Sequence, residues 1–339
     1  MVKIILFTGD SHTCGQGADG FTMTDESVAY NPYNGEGIGR NMRFYGRDYV
    51  NLVREEVDKL TGSESVELTF DRLAGMFVLD TRSGCAIVTK PITLKGDESR
   101  DSFYTLRFAA RTEPAEVRLT SPGRDEKLTL AVKQPRYGEL SFFDIPVWLE
   151  AGGSVTVAPI SGEVLIESAA RYAGEYAVIR QGVGCCSTVR MADTCFPYCA
   201  EVFRPHIVAA EAHTINDWLT RCTPETYREN LARLLVKFGG IAERAVILLT
   251  VSPVCGAQAM PHNDSPYNDF IEASRGAAVG LKINCPLIMA DANAAMEREL
   301  AGLGEAERFE RLFADNWHVN NLGHRIYADE VMKALKTIL

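Results

Sequence analysis

Five short and mostly apolar runs constrain the fold of this chain more than any other feature. Successive side chains of a β-strand point to opposite faces of a sheet, so a continuous apolar run indicates a strand that is buried on both faces. Such strands are typical of a parallel sheet covered by helices on each side. The runs are Val2–Phe7, Tyr176–Ile179, His206–Ala210, Ala245–Val251 and Cys285–Ala290.

The segments between these runs carry helical patterns, the clearest of which is Thr223–Phe238. It opens with Thr-Pro-Glu, which supplies a helix cap, a proline at the first helical position and an acidic first turn. Two further helices are predicted, at Tyr49–Leu60 and Gly323–Leu339. Strands that alternate with helices predict an α/β fold, a three-layer sandwich with a parallel central sheet. In Thr223–Phe238 the apolar positions that recur at helical spacing are Tyr227, Leu231, Leu234, Leu235 and Phe238.

A long segment from Ser65 to Tyr172 interrupts this pattern. Its apolar residues alternate with polar ones, and turn signals such as Ser121-Pro-Gly and Gly152-Gly153 divide it into short strands. We expect an inserted all-β domain, a jelly-roll-like β-sandwich over 65–172, in a discontinuous α/β domain formed by 1–64 and 173–339. The alternative is that these strands extend the main sheet. The insert is favoured because the α/β pattern resumes cleanly after it.

Charge and cysteine usage limit the partners of the chain. The formal net charge of -10 disfavours nucleic acid and anionic membranes, and no stretch approaches the length of a membrane span. The nine cysteines cannot all pair with one another, and no CxxC recurs at zinc spacing. We therefore expect free thiols, a cytoplasmic protein, and neither a metal nor an organic cofactor. The apolar run Ile4–Phe7 is too short for the core of a signal peptide.

The residues that carry chemistry lie at the two ends of the chain. Ser11 directly follows the first predicted strand, and ligands of open α/β sheets bind at the carboxyl ends of strands. Asp315 stands three residues before His318 and just ahead of a predicted helix. An Asp in that position can hydrogen-bond the imidazole, fix its tautomer and stabilise the cation that forms when His accepts a serine proton.

These motifs resemble the four conserved blocks of the SGNH/GDSL hydrolase family, over roughly two thirds of the chain. Gly9-Asp10-Ser11 matches the first block, and Asp315-Asn316-Trp317-His318 matches the last. Thr214-Ile215-Asn216-Asp217 is similar to the third block, and Gln181 to Cys186 is similar to the second. The resemblance implies an SGNH-hydrolase-like fold with Ser11 as nucleophile, His318 as base and Asp315 as its partner.

The resemblance also implies an oxyanion hole. Its donors would be the backbone N–H of Ser11, the side-chain amide of Asn216 and a backbone N–H of the second block. The best alignment puts Cys185 rather than glycine at that last position, and a slip of one residue would put Gly184 there. Two other positions depart from the family pattern: His12 replaces the usual leucine, and Thr214 replaces a glycine.

Each of these residues also has an ordinary structural interpretation. Ser11 could be a turn residue, His318 or Asp315 could cap the terminal helix, and Asn216 could form an Asx-turn. Three further histidines, His12, His213 and His324, are expected to be packed or surface side chains rather than catalysts. Asp10 and Asp217 are expected to form structural hydrogen bonds.

The implied activity is the hydrolysis of an ester through an acyl-enzyme. The expected substrate is a small-molecule ester with a short acyl group, most simply acetyl, on a carbohydrate. A lipase, thioesterase or acyltransferase with the same triad is an alternative within the enzymes, and a non-catalytic carbohydrate-binding protein is the alternative outside them. A homo-oligomer is compatible with the sequence.

Overall fold

The computed structural model describes residues 1–19, 44, 46–68, 77–80, 85–110, 113–130, 141–254 and 263–339. Their internal contacts divide them into two compact units. The first contains Met1–Lys3, Phe44 and the described part of 56–177, and the second contains 4–19, 46–55 and the described part of 178–339. The domain limits expected from the sequence, 1–64 with 173–339 and 65–172, stay a prediction.

The described residues form strands that build three separate sheets. The strands are β1 Lys3–Gly9, β2 Glu64–Leu68, β3 Phe77–Asp80, β4 Cys85–Val88, β5 Ile92–Lys95, β6 Ser102–Ala110, β7 Ala115–Ser121, β8 Arg124–Leu130, β9 Ser141–Leu149, β10 Ser154–Ser161, β11 Leu165–Ala173, β12 Tyr176–Gly182, β13 Ile207–Glu211, β14 Ala245–Leu249 and β15 Leu287–Ala290.

The second unit is built on a five-stranded sheet in the order β12-β1-β13-β14-β15. The pairs β1–β13, β13–β14 and β14–β15 are parallel, with Phe7 opposite Ala209 and Ala209 opposite Ile247. Consecutive residues such as Ile247 and Leu248 are both fully buried. Burying a large apolar side chain stabilises a fold by about 1.5–3 kcal/mol. The apolar side chains on both faces of these strands therefore stabilise the packing of the sheet against its helices. The predicted parallel sheet and α/β class are confirmed.

The helices are α1 Ser11–Cys14, α2 Tyr49–Thr61, α3 Thr188–Arg190, α4 Phe196–Cys199, α5 Thr214–Leu219, α6 Pro224–Ile241, α7 Tyr267–Ala278, α8 Ala292–Glu299, α9 Glu305–Leu312 and α10 Asn321–Leu335. A π-helical turn, Met191–Cys195, joins α3 to α4, and a 3₁₀ turn, Glu201–Phe203, follows α4. Among the described residues, no helix combines the length and the apolar character that a membrane crossing requires.

Helix α6 follows its sequence closely. Thr223 caps it by accepting a hydrogen bond from the N–H of Thr226, and Pro224 is its first residue. Leu231 and Phe238, like the other apolar positions of the predicted stripe, are fully buried. The helix packs on β14 and α7.

Helix α10 differs from the predicted span Gly323–Leu339. It begins at Asn321 because the side chain of Asn320 accepts hydrogen bonds from the N–H groups of Leu322 and Gly323. The alternative interpretation of Asp315 as the cap of this helix is therefore wrong.

The first unit contains two antiparallel sheets. One has the order β5-β10-β7-β8, and the other has the order β3-β4-β11-β6-β9 with β2 paired to β11. The strands between 64 and 173 thus pair with one another, and the alternative that they extend the parallel sheet is wrong. Apolar side chains of both sheets share one buried core; examples are Leu94, Leu119 and Val155 from the first and Leu106, Val147 and Ile166 from the second.

Candidate functional site

Ser11 stands where the chain leaves the central sheet. Strand β1 ends at Gly9, and Asp10 caps α1 by accepting a hydrogen bond from the N–H of His12. Ser11 is therefore the first residue of a short helical turn at the carboxyl end of a buried strand. Its Oγ lies 2.9 Å from Nε2 of His318, although 307 residues separate the two in the chain.

The carboxylate of Asp315 organises the segment that carries His318. Its Oδ1 accepts hydrogen bonds from the N–H groups of Trp317 at 2.8 Å and His318 at 2.9 Å. The same carboxylate faces Nδ1 of the imidazole, with Oδ2 at 2.8 Å. A carboxylate can only accept, so Nδ1 carries a proton and Nε2 presents its lone pair to Ser11.

The protonation state of Asp315 fits this arrangement. Burial opposes ionisation, but the hydrogen bond and charge of His318 and the two backbone N–H groups hold the pKa of Asp315 down at about 2. Asp315 is thus an anion at any working pH, while its partner His318 is only 9% exposed. A buried imidazole with an anion on one side and a hydroxyl on the other can accept the proton of that hydroxyl.

A close approach of backbone supports the same segment from the other side. Gly17 has a φ of +94°, and a Cβ at this position would lie 2.2 Å from the carbonyl oxygen of Val319 and 3.0 Å from Cβ of His318. Only glycine fits there without displacing the His318 segment.

Asn216 lies in α5 and contacts the turn that carries Ser11 through Asp10. Its Nδ2 donates a hydrogen bond to Oδ2 of Asp10 at 2.5 Å, and the residue is 8% exposed. The interpretation of Asn216 as an Asx-turn residue is wrong, because its amide is held by Asp10 and its backbone is helical. An NH₂ group has two hydrogens, so the second remains for a further acceptor.

The segment after β12 contains the remaining predicted donors. Cys185 has a φ of +52°, a left-handed conformation that favours glycine. The carbonyl oxygens of Gly184 and Cys185 each accept a hydrogen bond from Nη1 of Arg190 at 3.3 Å. A trans peptide directs its N–H opposite to its C=O, so the N–H of Cys185 points away from Arg190.

His213, just before the third block, and Asp217, its last residue, hold this segment and the residues that follow it. Nδ1 of His213 lies 2.9 Å from the carbonyl oxygen of Cys186, and Asp217 accepts hydrogen bonds from N–H and Oγ1 of Thr188 at 2.7 and 2.8 Å. Burial raises the pKa of Asp217 to about 7. His213, rather than Thr214, has the left-handed backbone, with a φ of +58°. These contacts bring the second and third blocks together.

Glu211 is a site residue that the sequence prediction missed. Its fully buried carboxylate accepts hydrogen bonds from the N–H groups of Asp10 and Thr13 and from Oγ1 of Thr13. Burial, followed by the charge of Asp10, raises the pKa of Glu211 to about 7. Gly9 makes room for it, because a Cβ at Gly9 would lie 2.2 Å from Oε2 of Glu211. The available signal was a carboxylate directly after the apolar run His206–Ala210.

His12 is the second residue whose position the sequence did not predict. It is 1% exposed, and its Nδ1 lies 3.2 Å from Asp10 Oδ1 and 3.3 Å from Glu211 Oε1. We call Asp10, His12 and Glu211 the carboxylate–imidazole cluster. The donor atoms of this cluster all lie within 4.8 Å of one another, a spacing at which such a group could hold a metal ion. The distance from the ring nitrogen to Asp10 is that of a hydrogen bond, and the distance to Glu211 is that of an ion pair.

The structure thus brings most of the predicted site residues together. Ser11, His318 and Asp315 form one continuous line of hydrogen bonds, and Asn216 joins the Ser11 turn through Asp10. Gly184 and Cys185 lie in the segment that ends at Cys186, whose carbonyl oxygen contacts His213, the residue before the third block.

The chain is similar in structure to several solved esterases. A peptidoglycan O-acetylesterase is 15% identical with a TM-score of 0.49, and the match covers 99% of this chain and 91% of that chain. A GDSL-like lipase from Parabacteroides merdae is 15% identical with a TM-score of 0.39, covering 48% and 73% of the two chains. A carbohydrate esterase family 3 protein from Talaromyces cellulolyticus is 16% identical with a TM-score of 0.37, covering 48% and 71%. No protein-family model matches the sequence, and no curated protein is significantly similar to it.

Proposed function

We propose that this protein is a serine esterase of the SGNH/GDSL type. One observation carries the proposal: Ser11 Oγ, His318 Nε2, His318 Nδ1 and Asp315 Oδ2 follow one another at hydrogen-bond distances of 2.9 and 2.8 Å. Ser11 and the segment that carries Asp315 and His318 are remote in the chain, since His318 follows Ser11 by 307 residues. Their arrangement matches the needs of an activated nucleophile, whose base lies within hydrogen-bond reach and is itself oriented by a third group.

The reaction begins when Ser11 Oγ attacks the ester carbonyl and His318 Nε2 accepts the serine proton. The carbonyl π-electrons move to oxygen, and the resulting oxyanion is bound by the N–H of Ser11, the free hydrogen of the Asn216 amide and an N–H from Gly184 or Cys185. His318 then protonates the alkoxide leaving group as the ester C–O bond breaks. The products of this half-reaction are an alcohol and an acyl-Ser11 ester.

Water completes the cycle. His318 removes a proton from the water molecule as its oxygen attacks the acyl-enzyme, and returns the proton to Ser11 Oγ when the acyl bond breaks. Asp315 stays ionised and balances the charge of the imidazolium in both halves. No metal or organic cofactor enters these steps.

The proposed substrate is a short acyl ester, in the simplest case an acetyl ester of a carbohydrate. Ser11 and His318 are each 9% exposed, and Asn216 is 8% exposed. Such limited access suits a small acyl group better than a long chain. We further propose that 65–172 is an inserted β-sandwich domain, which the shared core of its two antiparallel sheets supports.

Substitution of the nucleophile and the base tests the activity. We expect Ser11→Ala and His318→Ala each to lower the hydrolysis of an aryl acetate by about three decades or more, with the melting temperature preserved. A fluorophosphonate probe should label the wild-type protein on Ser11 and leave Ser11→Ala unlabelled. Near-normal turnover by Ser11→Ala would refute the proposed function.

A series of aryl esters tests the acyl preference. We expect kcat/KM to fall steadily from acetyl to butyryl to octanoyl. An octanoyl ester that is hydrolysed as well as the acetyl ester would point to the lipase alternative. Faster acyl transfer to an added sugar than to water would point to the acyltransferase.

A further inference from the structure

The imidazole of His12 has oxygen acceptors on both of its nitrogens. Nδ1 faces the carboxylates of Asp10 and Glu211, and Nε2 lies 3.0 Å from the carbonyl oxygen of Trp317. A carbonyl oxygen can only accept. Burial opposes the ionisation of Asp10, but its hydrogen bond with His12 and the charge of His12 lower the pKa of Asp10, so its Oδ1, 3.2 Å from Nδ1, also only accepts. Both ring nitrogens must therefore carry hydrogen, which makes His12 a buried imidazolium.

The surroundings of His12 favour its charged form. Burial lowers its pKa, but Tyr327, Asp10 and Glu211 outweigh that effect and raise the pKa of His12 well above its ordinary value. His324 shows the contrast within the same core: burial lowers its pKa to about 4, so it remains neutral. The positive charge of the cluster therefore resides on His12.

The acceptor of the Nε2 hydrogen bond belongs to the peptide unit that joins Trp317 to His318. The C=O of this unit accepts from His12, and its N–H donates to Oδ1 of Asp315 at 2.9 Å. The two groups of a trans peptide point in opposite directions, so the plane is clamped from both sides. The clamp fixes the backbone from which the His318 side chain projects.

His12 also belongs to the turn that carries Ser11. His12, which directly follows Ser11, therefore hydrogen-bonds the peptide that directly precedes His318. On the other side, Asp10 receives the Asn216 amide through Oδ2 and faces His12 through Oδ1. A single line of hydrogen bonds connects Asn216, Asp10, His12 and the Trp317 carbonyl.

We propose that His12 is a positioning residue, which as a buried cation holds the Trp317–His318 peptide so that Nε2 of His318 stays aligned with Ser11 Oγ. The inference rests on the proposed esterase function. Catalytic geometry is sensitive to small displacements, since a misplacement of about 1 Å costs on the order of a hundredfold in rate. The family that this chain resembles usually has leucine at this position, and leucine could form neither the hydrogen bond to Asp10 nor the one to the Trp317 carbonyl.

Two substitutions separate the two sides of the ring. In His12→Asn the amide nitrogen falls near the position of Nδ1, and in His12→Gln it can reach the position of Nε2. We expect His12→Asn to lower kcat for an aryl acetate by about 10–100-fold with KM within about twofold, and to slow fluorophosphonate labelling of Ser11 in parallel. We expect His12→Gln to retain several times more kcat than His12→Asn, because it can still donate to the Trp317 carbonyl.

His206 provides the matched control. It lies at the amino end of β13, away from the site, and its Nδ1 pairs with Glu243 Oε2 at 3.1 Å. His206→Asn and His206→Gln should leave kcat and KM unchanged. Equal kcat for His12→Asn and His12→Gln, or a change confined to KM, would overturn the positioning role.

A measurement on the wild-type protein keeps the proposal testable even if the variants do not fold. Nitrogen-15 NMR of labelled histidines should show His12 with both ring nitrogens protonated at pH 7. The titratable groups around this ring are Asp10, Glu211, Tyr327 and His318, and His324 interacts with it electrostatically. A neutral His12 ring would overturn the proposal. So would a metal ion bound stoichiometrically at Nδ1 of His12, because it excludes the proton from that nitrogen.

The outcome for Ser11 separates this inference from the proposed function. If Ser11→Ala keeps its turnover, the esterase assignment fails. If Ser11→Ala is inactive while His12→Asn retains wild-type kcat, only the role of His12 fails.

Discussion

Replacing Asp315 with asparagine should nearly abolish turnover while preserving the loop that carries His318. The asparagine Oδ1 can still accept from the N–H groups of Trp317 and His318, which Asp315 holds at 2.8 and 2.9 Å. Its NH₂ would replace Oδ2, the atom 2.8 Å from His318 Nδ1. A donor there requires the lone pair on Nδ1 and moves the proton to Nε2, where it faces Ser11. The ring then cannot accept the serine proton, and the expected loss in kcat is about four decades.

Asp315→Ala is the variant to compare. It removes both backbone hydrogen bonds as well as the charge, and at about 1 kcal/mol for each bond it should lower the free energy of unfolding by about 1–2 kcal/mol. Asp315→Asn keeps both backbone hydrogen bonds and should therefore lose less stability than Asp315→Ala in chemical denaturation. The assay is stopped-flow hydrolysis of an aryl acetate, with KM and denaturation midpoints measured on the same preparations. An Asp315→Asn enzyme that keeps more than about a tenth of wild-type kcat would refute the tautomer argument.

Three further predictions concern the neighbouring segments. Asn216→Ala should lower kcat by about two to three decades with little change in KM, because an oxyanion donor acts mainly in the transition state; a change chiefly in KM would assign Asn216 to substrate binding. Asp217→Asn should remove one pH dependence of stability, because burial raises the folded-state pKa of Asp217 from 3.8 to about 7. The contribution of Asp217 to stability is therefore largest below about pH 4 and falls, by about 4 kcal/mol relative to the variant, as the pH rises from 4 to 7. Parallel urea titrations of the two proteins at pH 4 and 8 check this, and identical differences at both pH values would contradict it. Cys185→Gly should retain kcat within about threefold and lose no stability, whereas Cys185→Val should cost about 1–2 kcal/mol at the left-handed backbone position; a loss of decades in Cys185→Gly would show that the thiol takes part in the reaction.

The sequence predicted the central sheet well because most of its strands are buried on both faces. Each of the five apolar runs corresponds to a strand, and four of these strands are almost wholly buried, whereas β15 is only partly buried. The limits of α10 were less predictable. Gly323 suggested a helix start, but the side chain of Asn320 satisfies the first N–H groups and sets the start two residues earlier.

The line from Ser11 to Asp315 was predictable because the motif spacing reflects local geometry. A carboxylate three residues before a histidine can fold back onto both the intervening N–H groups and the ring, as Asp315 does. The roles of His12 and Glu211 were not predictable in this way. Their contacts join residues about 200 and 300 positions apart, and nothing local to either residue specifies its partner.

The distance along the chain between Ser11 and His318 has a consequence for biosynthesis. Translation at 5–20 residues per second separates the two residues by about 15–60 s, because His318 is made 307 residues after Ser11. Throughout that interval a nascent polypeptide carries a serine hydroxyl with no base beside it. The esterase activity proposed for this protein therefore requires that the segment around His318 has been synthesised and has docked beside Ser11.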